Sequence, residues 1–176
     1  MVVIDDIRSI LARLRARDAR ELSAYGIDLD GAASAFASPA ILARVFAHKG
    51  RATAVVTFHR LTPRALVVSM MATDDWPFVA RAVVRWGWRE ARPALIAAAY
   101  ERAECRTIEG HVEAIELLER LGFVRECLLP CFGAQGASFL QYAWRLTDHV
   151  PVQLTQGAAA AATAADTCVE AGRGTA

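Results

Sequence analysis

The chain has 176 residues, enough for one domain with a sizeable core and too few for two comfortable ones. Hydrophobic residues make up 55% and charged residues 22%, which is a globular and not a disordered composition, although alanine supplies part of the apolar share and buries little area per residue. Twenty basic side chains stand against 19 acids, so no basic field draws in nucleic acid or an anionic membrane, and neither is expected as a partner.

The start, Met1-Val-Val-Ile-Asp-Asp6, has no basic region followed by an apolar one, and no apolar run approaches the roughly 20 residues needed to cross a bilayer, so a cytosolic location is expected. The amphipathic spacing of Ile7, Ile10, Leu11 and Leu14, with Asp5 and Asp6 in the first turn, predicts a first helix. Arg17 to Leu22 predicts a second, stopped at Gly26. Ser34 to His48 is again helical in period, with Ser38 as N-cap, Pro39 in the first turn and Gly50 as the stop.

From Arg51 the period changes to two. Ala54, Val56 and Phe58 alternate with Thr53, Thr57 and His59, predicting a strand to about Arg60, a turn at Leu61-Thr-Pro-Arg64 and a second, buried strand from Leu66 to Met71. A long helix is predicted from Trp76 to Arg102, with Pro77 in its first turn and a kink or break at Pro93. A short strand from Cys105 to Ile108, a helix from His111 to Leu121 ending at Gly122, and strands over Phe123–Leu129 and Ser138–Leu146 complete the pattern. Residues 1–149 thus form one domain. Beyond them, 150–176 is an alanine- and glycine-rich stretch with little to bury, expected to be a flexible tail or a weak helix ordered only on a partner.

This order of elements resembles the GNAT superfamily of N-acetyltransferases, most specifically over Cys105-Arg-Thr-Ile-Glu-Gly-His-Val-Glu-Ala-Ile-Glu-Leu-Leu-Glu-Arg-Leu-Gly-Phe123. The resemblance implies an α+β fold with a mixed, mostly antiparallel central sheet and helices on both faces. It also implies a functional asparagine where this chain has His111, and a general-acid tyrosine where it has Leu118, which has no proton to give. The family's glycine-rich pyrophosphate loop falls on Met71-Ala-Thr-Asp-Asp-Trp-Pro-Phe78, with no glycine. Here Thr73, Asp74, Asp75 and Trp76 form a degenerate loop in which two carboxylates face the phosphates or cap the helix, and Pro77 removes a donor; each like-charge contact costs on the order of a few kcal/mol.

A narrower resemblance is to the phage-encoded GNAT-like family that includes the internal virion protein A of short-tailed phages. It rests on Leu14-Arg-Ala-Arg-Asp-Ala-Arg-Glu21, Arg102-Ala-Glu-Cys-Arg106 before Gly110-His111, Leu121-Gly122, and Phe139-Leu-Gln-Tyr-Ala-Trp-Arg145. It implies a protein of the infected bacterial cytoplasm or of the virion, acting in particle structure or assembly through contacts with other phage proteins, as an oligomer or not, without cofactor. The alternative is a divergent acetyl-CoA-dependent N-acetyltransferase, with His111 or Glu109 as the base.

His111 takes a functional position of the implied fold, and histidine is a common proton carrier in catalysis, but a histidine there also caps the next helix or bonds to the sheet. Glu109 and Glu113 flank it. His59 is expected to face solvent, and Cys105 to be a buried, inert thiol. The four cysteines, at 105, 127, 131 and 168, are expected as thiols; Cys127 and Cys131 lack a second pair or a nearby histidine, so no metal site is expected. Trp76, Trp86 and Trp88 crowd the long helix. Trp86 and Trp88 point apart, which suggests one core anchor and one exposed contact, and the group is the candidate partner-binding surface.

Overall fold

A computed structural model describes residues 4–145. The first helices form where their periodicity places them, α1 over Ile4–Leu11 and α2 over Ala16–Ala24, the latter followed by Gly26 in the left-handed region at φ 70°. The next segment departs from expectation. A third helix, α3, occupies Leu29–Ala37 and is capped by Asp28, whose Oδ1 accepts the Gly31 N–H at 2.7 Å. Ser38 closes this helix instead of opening one: its hydroxyl donates to the Ser34 carbonyl. Past Pro39 the chain becomes a strand, β1, over Leu42–His48. Lys49 and Gly50, at φ 48° and 74°, are then the two left-handed residues of a tight hairpin into β2, Arg51–Arg60. A helix end and a strand start in direct succession had produced one apparent helical period.

The hairpin from β2 to β3, Ala65–Ala72, forms as expected from the alternation of the first strand, the turn and the apolar run after it, antiparallel from Ala54↔Ala72 to Arg60↔Leu66. The long helix is divided. Trp76–Trp86 is α4, Gly87–Ala91 is one π-helical turn, and Arg92–Ala97 is α5. In the wide turn Arg92 donates its N–H to the Gly87 carbonyl, five residues back, directly before Pro93, which has no N–H to give. Gly87 also lets this turn lie against the end of the next helix, since a Cβ there would overlap Leu121 Cδ2. The helical run ends at Ala99, φ 60°, and β4 spans Arg102–Ile108, starting three residues earlier than expected. Then follow α6, Val112–Arg120, β5, Val124–Leu129, and β6, Phe139–Arg145. Leu146 and the 150–176 stretch lie outside the described residues.

The fold is α+β: six strands in the order β1-β2-β3-β4-β6-β5, antiparallel except for the pair β3/β4. Helices cover both faces. On one, α1 and α3 pack Ile7, Ile10, Leu11 and Phe36 on Val55 and Met71, and Tyr25 of α2 meets Phe139 at 4.5 Å between ring centroids. On the other, Trp86 of α4 packs edge-on against Phe46 and Phe58, while Leu118 of α6 packs on Leu140 and Tyr142. Each large side chain so buried contributes roughly 1.5–3 kcal/mol.

Candidate functional site

The one parallel pair in the sheet sets the site. β3 and β4 pair only at Ala65↔Arg102, Leu66↔Ala103 and Val67↔Glu104, and then diverge. At the closed end Arg102 bonds to Glu104 and to Glu126, tying β4 to β5 across β6. At the open end both strands present their carboxyl termini, where an open sheet holds its ligands. A cleft of about 280 Å³ lies there, walled by Val67–Met71 and Cys105–Thr107 and roofed by Leu22, Tyr25 and Phe36. On the opposite face an apolar hollow of about 80 Å³ shares Val68, Met70, Cys105 and Leu118 with it.

Helix α2 lies across the mouth of this gap. Asp18 is buried and accepts three hydrogen bonds: from the Ala72 N–H of β3 at 2.8 Å, from Arg15 Nε at 2.7 Å and from His111 Nε2 at 3.1 Å. Arg15 N–H donates to the Ala72 carbonyl at 3.1 Å, so both edge groups of Ala72 are closed. One turn on, Glu21 Oε2 accepts Thr107 Oγ1 at 2.9 Å and the Ile108 N–H at 3.2 Å. One helical turn therefore seals the ends of two diverging strands, with a carboxylate for each. Burial raises the Glu21 pKa above its ordinary value, against the lowering pull of the Thr107 and Ile108 bonds. Burial, and then the Glu21 charge, also raise Tyr25 and push the Cys105 thiol up to about 12, so Cys105 carries no thiolate at neutral pH.

His111 is buried at the start of α6. Its Nδ1 accepts the Ala114 N–H at 3.3 Å, which puts the proton on Nε2 and makes Nε2 the donor to Asp18. Both nitrogens are committed, so the ring is a helix cap and a strut and offers no lone pair to a substrate. Glu109, the other candidate base, is exposed at the end of β4, outside the cleft lining. Leu118 lines the cleft where the resemblance implies a tyrosine. His59 is half-buried rather than solvent-facing.

The junction before α4 is occupied by its own bonds. Thr73 is buried; its N–H goes to the Thr53 carbonyl, its carbonyl accepts the Trp76 N–H, and its hydroxyl accepts the Asp75 N–H at 3.3 Å. Asp75 holds the N-cap position without a side-chain cap bond, and Asp74 is exposed, so the capping expected of these acids falls to Thr73. Nor do the acids stand alone: Arg13 and Arg51 line the same groove, which offsets the repulsion read from the sequence. What opposes a pyrophosphate here is the use of the N–H donors, more than charge.

Of the three tryptophans, Trp76 and Trp86 are buried, Trp76 beneath the Arg15 guanidinium at 5.4 Å. Trp88 is 40% exposed, donating to the Arg120 carbonyl at 2.9 Å and lying under Arg92. Arg15, Asp18, Glu21 and Tyr25 escaped the sequence reading. Their signal was present, because two acids share the helical face that carries Leu22 and Tyr25 and must therefore be buried. Among the described residues no group of His, Cys, Asp and Glu could hold a metal ion, and no helix is long and apolar enough to cross a membrane.

No family model matches this sequence, and no curated protein matches it. Solved structures do. The ribosomal-protein alanine N-acetyltransferase of Escherichia coli superposes with a TM-score of 0.60 at 14% identity, covering 81% of this chain and 87% of that one. An N-acetyltransferase from Staphylococcus aureus gives 0.59 at 16%, covering 82% and 95%, and a GNAT-family acetyltransferase from Bacillus anthracis 0.59 at 10%, covering 82% and 92%. At such identities the likeness concerns architecture, and on that ground the chain has the GNAT acetyltransferase fold.

Proposed function

We propose that this chain uses the GNAT fold as a binding scaffold and does not itself transfer an acyl group from CoA. The observation that carries this reading is the closure of the β3/β4 gap by Asp18 and Glu21 of α2, which takes up the strand-edge donors at the carboxyl ends where a ligand would enter. The internally satisfied α4 junction, the doubly bonded His111 and the leucine at 118 agree with it. The resemblance of Leu14–Glu21, Arg102–Arg106 and Phe139–Arg145 to the internal virion protein A family suggests the partner class, a protein of phage particle assembly.

A second reading is a divergent acetyl-CoA-dependent N-acetyltransferase. It is favoured by the cleft behind α2 and by the names of the structural neighbours, and on those comparisons it has more support than any assembly role. Calorimetric titration with acetyl-CoA separates the two. The scaffold reading expects no heat of binding at millimolar ligand; a micromolar Kd, about −8 kcal/mol, would overturn it in favour of the transferase.

A further inference from the structure

We infer that the groove between α4 and α6 is a docking site for an acidic amphipathic helix of another protein, an inference that deepens the scaffold reading and rests on it. Ala80, Val84 and Trp88 follow one another at helical spacing along the groove, half-buried or exposed, and Leu117 of α6 completes an apolar floor in a depression of about 500 Å³. Beside that row runs a second with the same spacing, Arg81, Arg85 and Arg89. All three are exposed, and none forms an ion pair or side-chain hydrogen bond with a described residue, as the ion pairs on α4 and its π turn reach only Glu90. Like charges at i, i+4 work against the helix that carries them, so the row costs stability that nothing in the described chain returns.

The opposite wall differs. Glu116 pairs with Arg120 on α6, and Glu113 pairs with Arg15 and Arg17. Four guanidiniums therefore face the groove against two carboxylates that are already engaged, an excess of two on a chain whose whole net charge is +1. A second copy of this chain would bring the same excess against itself. Nucleic acid would meet the Glu113 and Glu116 wall and an apolar floor with no base-stacking row. What fits both rows is a helix with apolar side chains every three to four residues and carboxylates on the adjoining stripe. From residue 80 to 88 the rows run about 12 Å, so the partner needs at least two to three turns.

The test is fluorescence anisotropy with a labelled synthetic helical peptide carrying leucines at i, i+4 and i+8 and glutamates at the next position of each, beside a scrambled peptide of the same composition. Saturable micromolar binding of the patterned peptide is expected, weakened at least about tenfold between low and physiological salt. The triple variant Arg81→Glu, Arg85→Glu, Arg89→Glu should weaken it at least about tenfold, a loss of about 1.4 kcal/mol. An equal charge change elsewhere, Arg8→Glu, Arg20→Glu, Arg125→Glu, should leave it unchanged. All six side chains are exposed, and an unshifted thermal midpoint certifies each variant as folded. Absence of saturable binding, equal binding of the scrambled peptide, or equal loss in both triple variants overturns the proposal. So does displacement of the peptide by single-stranded DNA or acetyl-CoA, or sedimentation showing a dimer that the first triple variant dissociates. Acetyl-CoA calorimetry tests the scaffold reading separately, so failure of the peptide alone removes only this groove.

Discussion

Asp18 is a buried carboxylate with three donors, one of them the Arg15 guanidinium at 2.7 Å, an arrangement stable only while complete. Asp18→Ala strands Arg15 and His111 in the interior, and urea denaturation should show a loss of about 3–5 kcal/mol. Glu21 behaves differently because burial holds its pKa above the ordinary 4.5. The folded state then keeps a proton that the unfolded chain releases, so this residue's contribution is fully present below pH 4.5 and is lost as pH rises toward the folded-state pKa. Glu21→Gln keeps an acceptor for Thr107 and Ile108 without the charge. Its stability profile, from denaturation at a series of pH values above 4.5, should be flatter than that of the parent and should lie at or above it at neutrality. At this scale the sequence was partly legible. The departures at His111 and Leu118 could be read from the resemblance to the GNAT superfamily, whereas the use of His111 as a strut depends on Asp18, 93 residues earlier, which no local pattern announces.

Among the elements, the alternating strands β2 and β6 and the short valine-rich apolar run of β3 were the most readable, and all three lie within a residue or two of their predicted bounds. The error over 34–48 arose where two short elements abut, since Ile41, Val45 and Phe46 satisfy a helical period while standing in or beside a strand. The pairing of Leu42 with Phe58 decided it, a contact the sequence could not anticipate. Pro93 announced a disturbance, and the π turn at Gly87–Ala91 is the form it takes. Because Gly87 abuts Leu121, Gly87→Ala should destabilise by about 1–3 kcal/mol through overpacking, despite alanine's better helix propensity. Adding Leu121→Ala should make the two changes non-additive, with the double variant less destabilised than the sum of the singles by at least about 0.5 kcal/mol in a thermodynamic cycle.

At the scale of the molecule, three residue pairs join the half-sheet β1-β2-β3 to the half-sheet β4-β6-β5. Helix α2 adds ties at the open end through Asp18 and Glu21. The halves should therefore open as separate units in native-state hydrogen exchange. Amides of Val68–Met71 and of Cys105 and Arg106 should exchange through a lower-energy opening than those in the centre of β2, and Glu21→Ala should lower that opening energy further by about 1–3 kcal/mol. Protection of the β3 and β2 amides at one common free energy would show a single cooperative unit instead.

By itself the sequence determined the order of helices and strands behind the α+β class, the lack of a proton donor at Leu118, and the near balance of charge, because period, residue chemistry and composition are local or additive properties. Only the tertiary structure decided that the diverging strands are closed by α2, that Trp76 and Trp86 are interior, and that Arg81, Arg85 and Arg89 have no ion-pair partner among the described residues and stand beside an apolar row. Those are relations between residues tens of positions apart, and they arise when the chain spends its buried polar groups on one another.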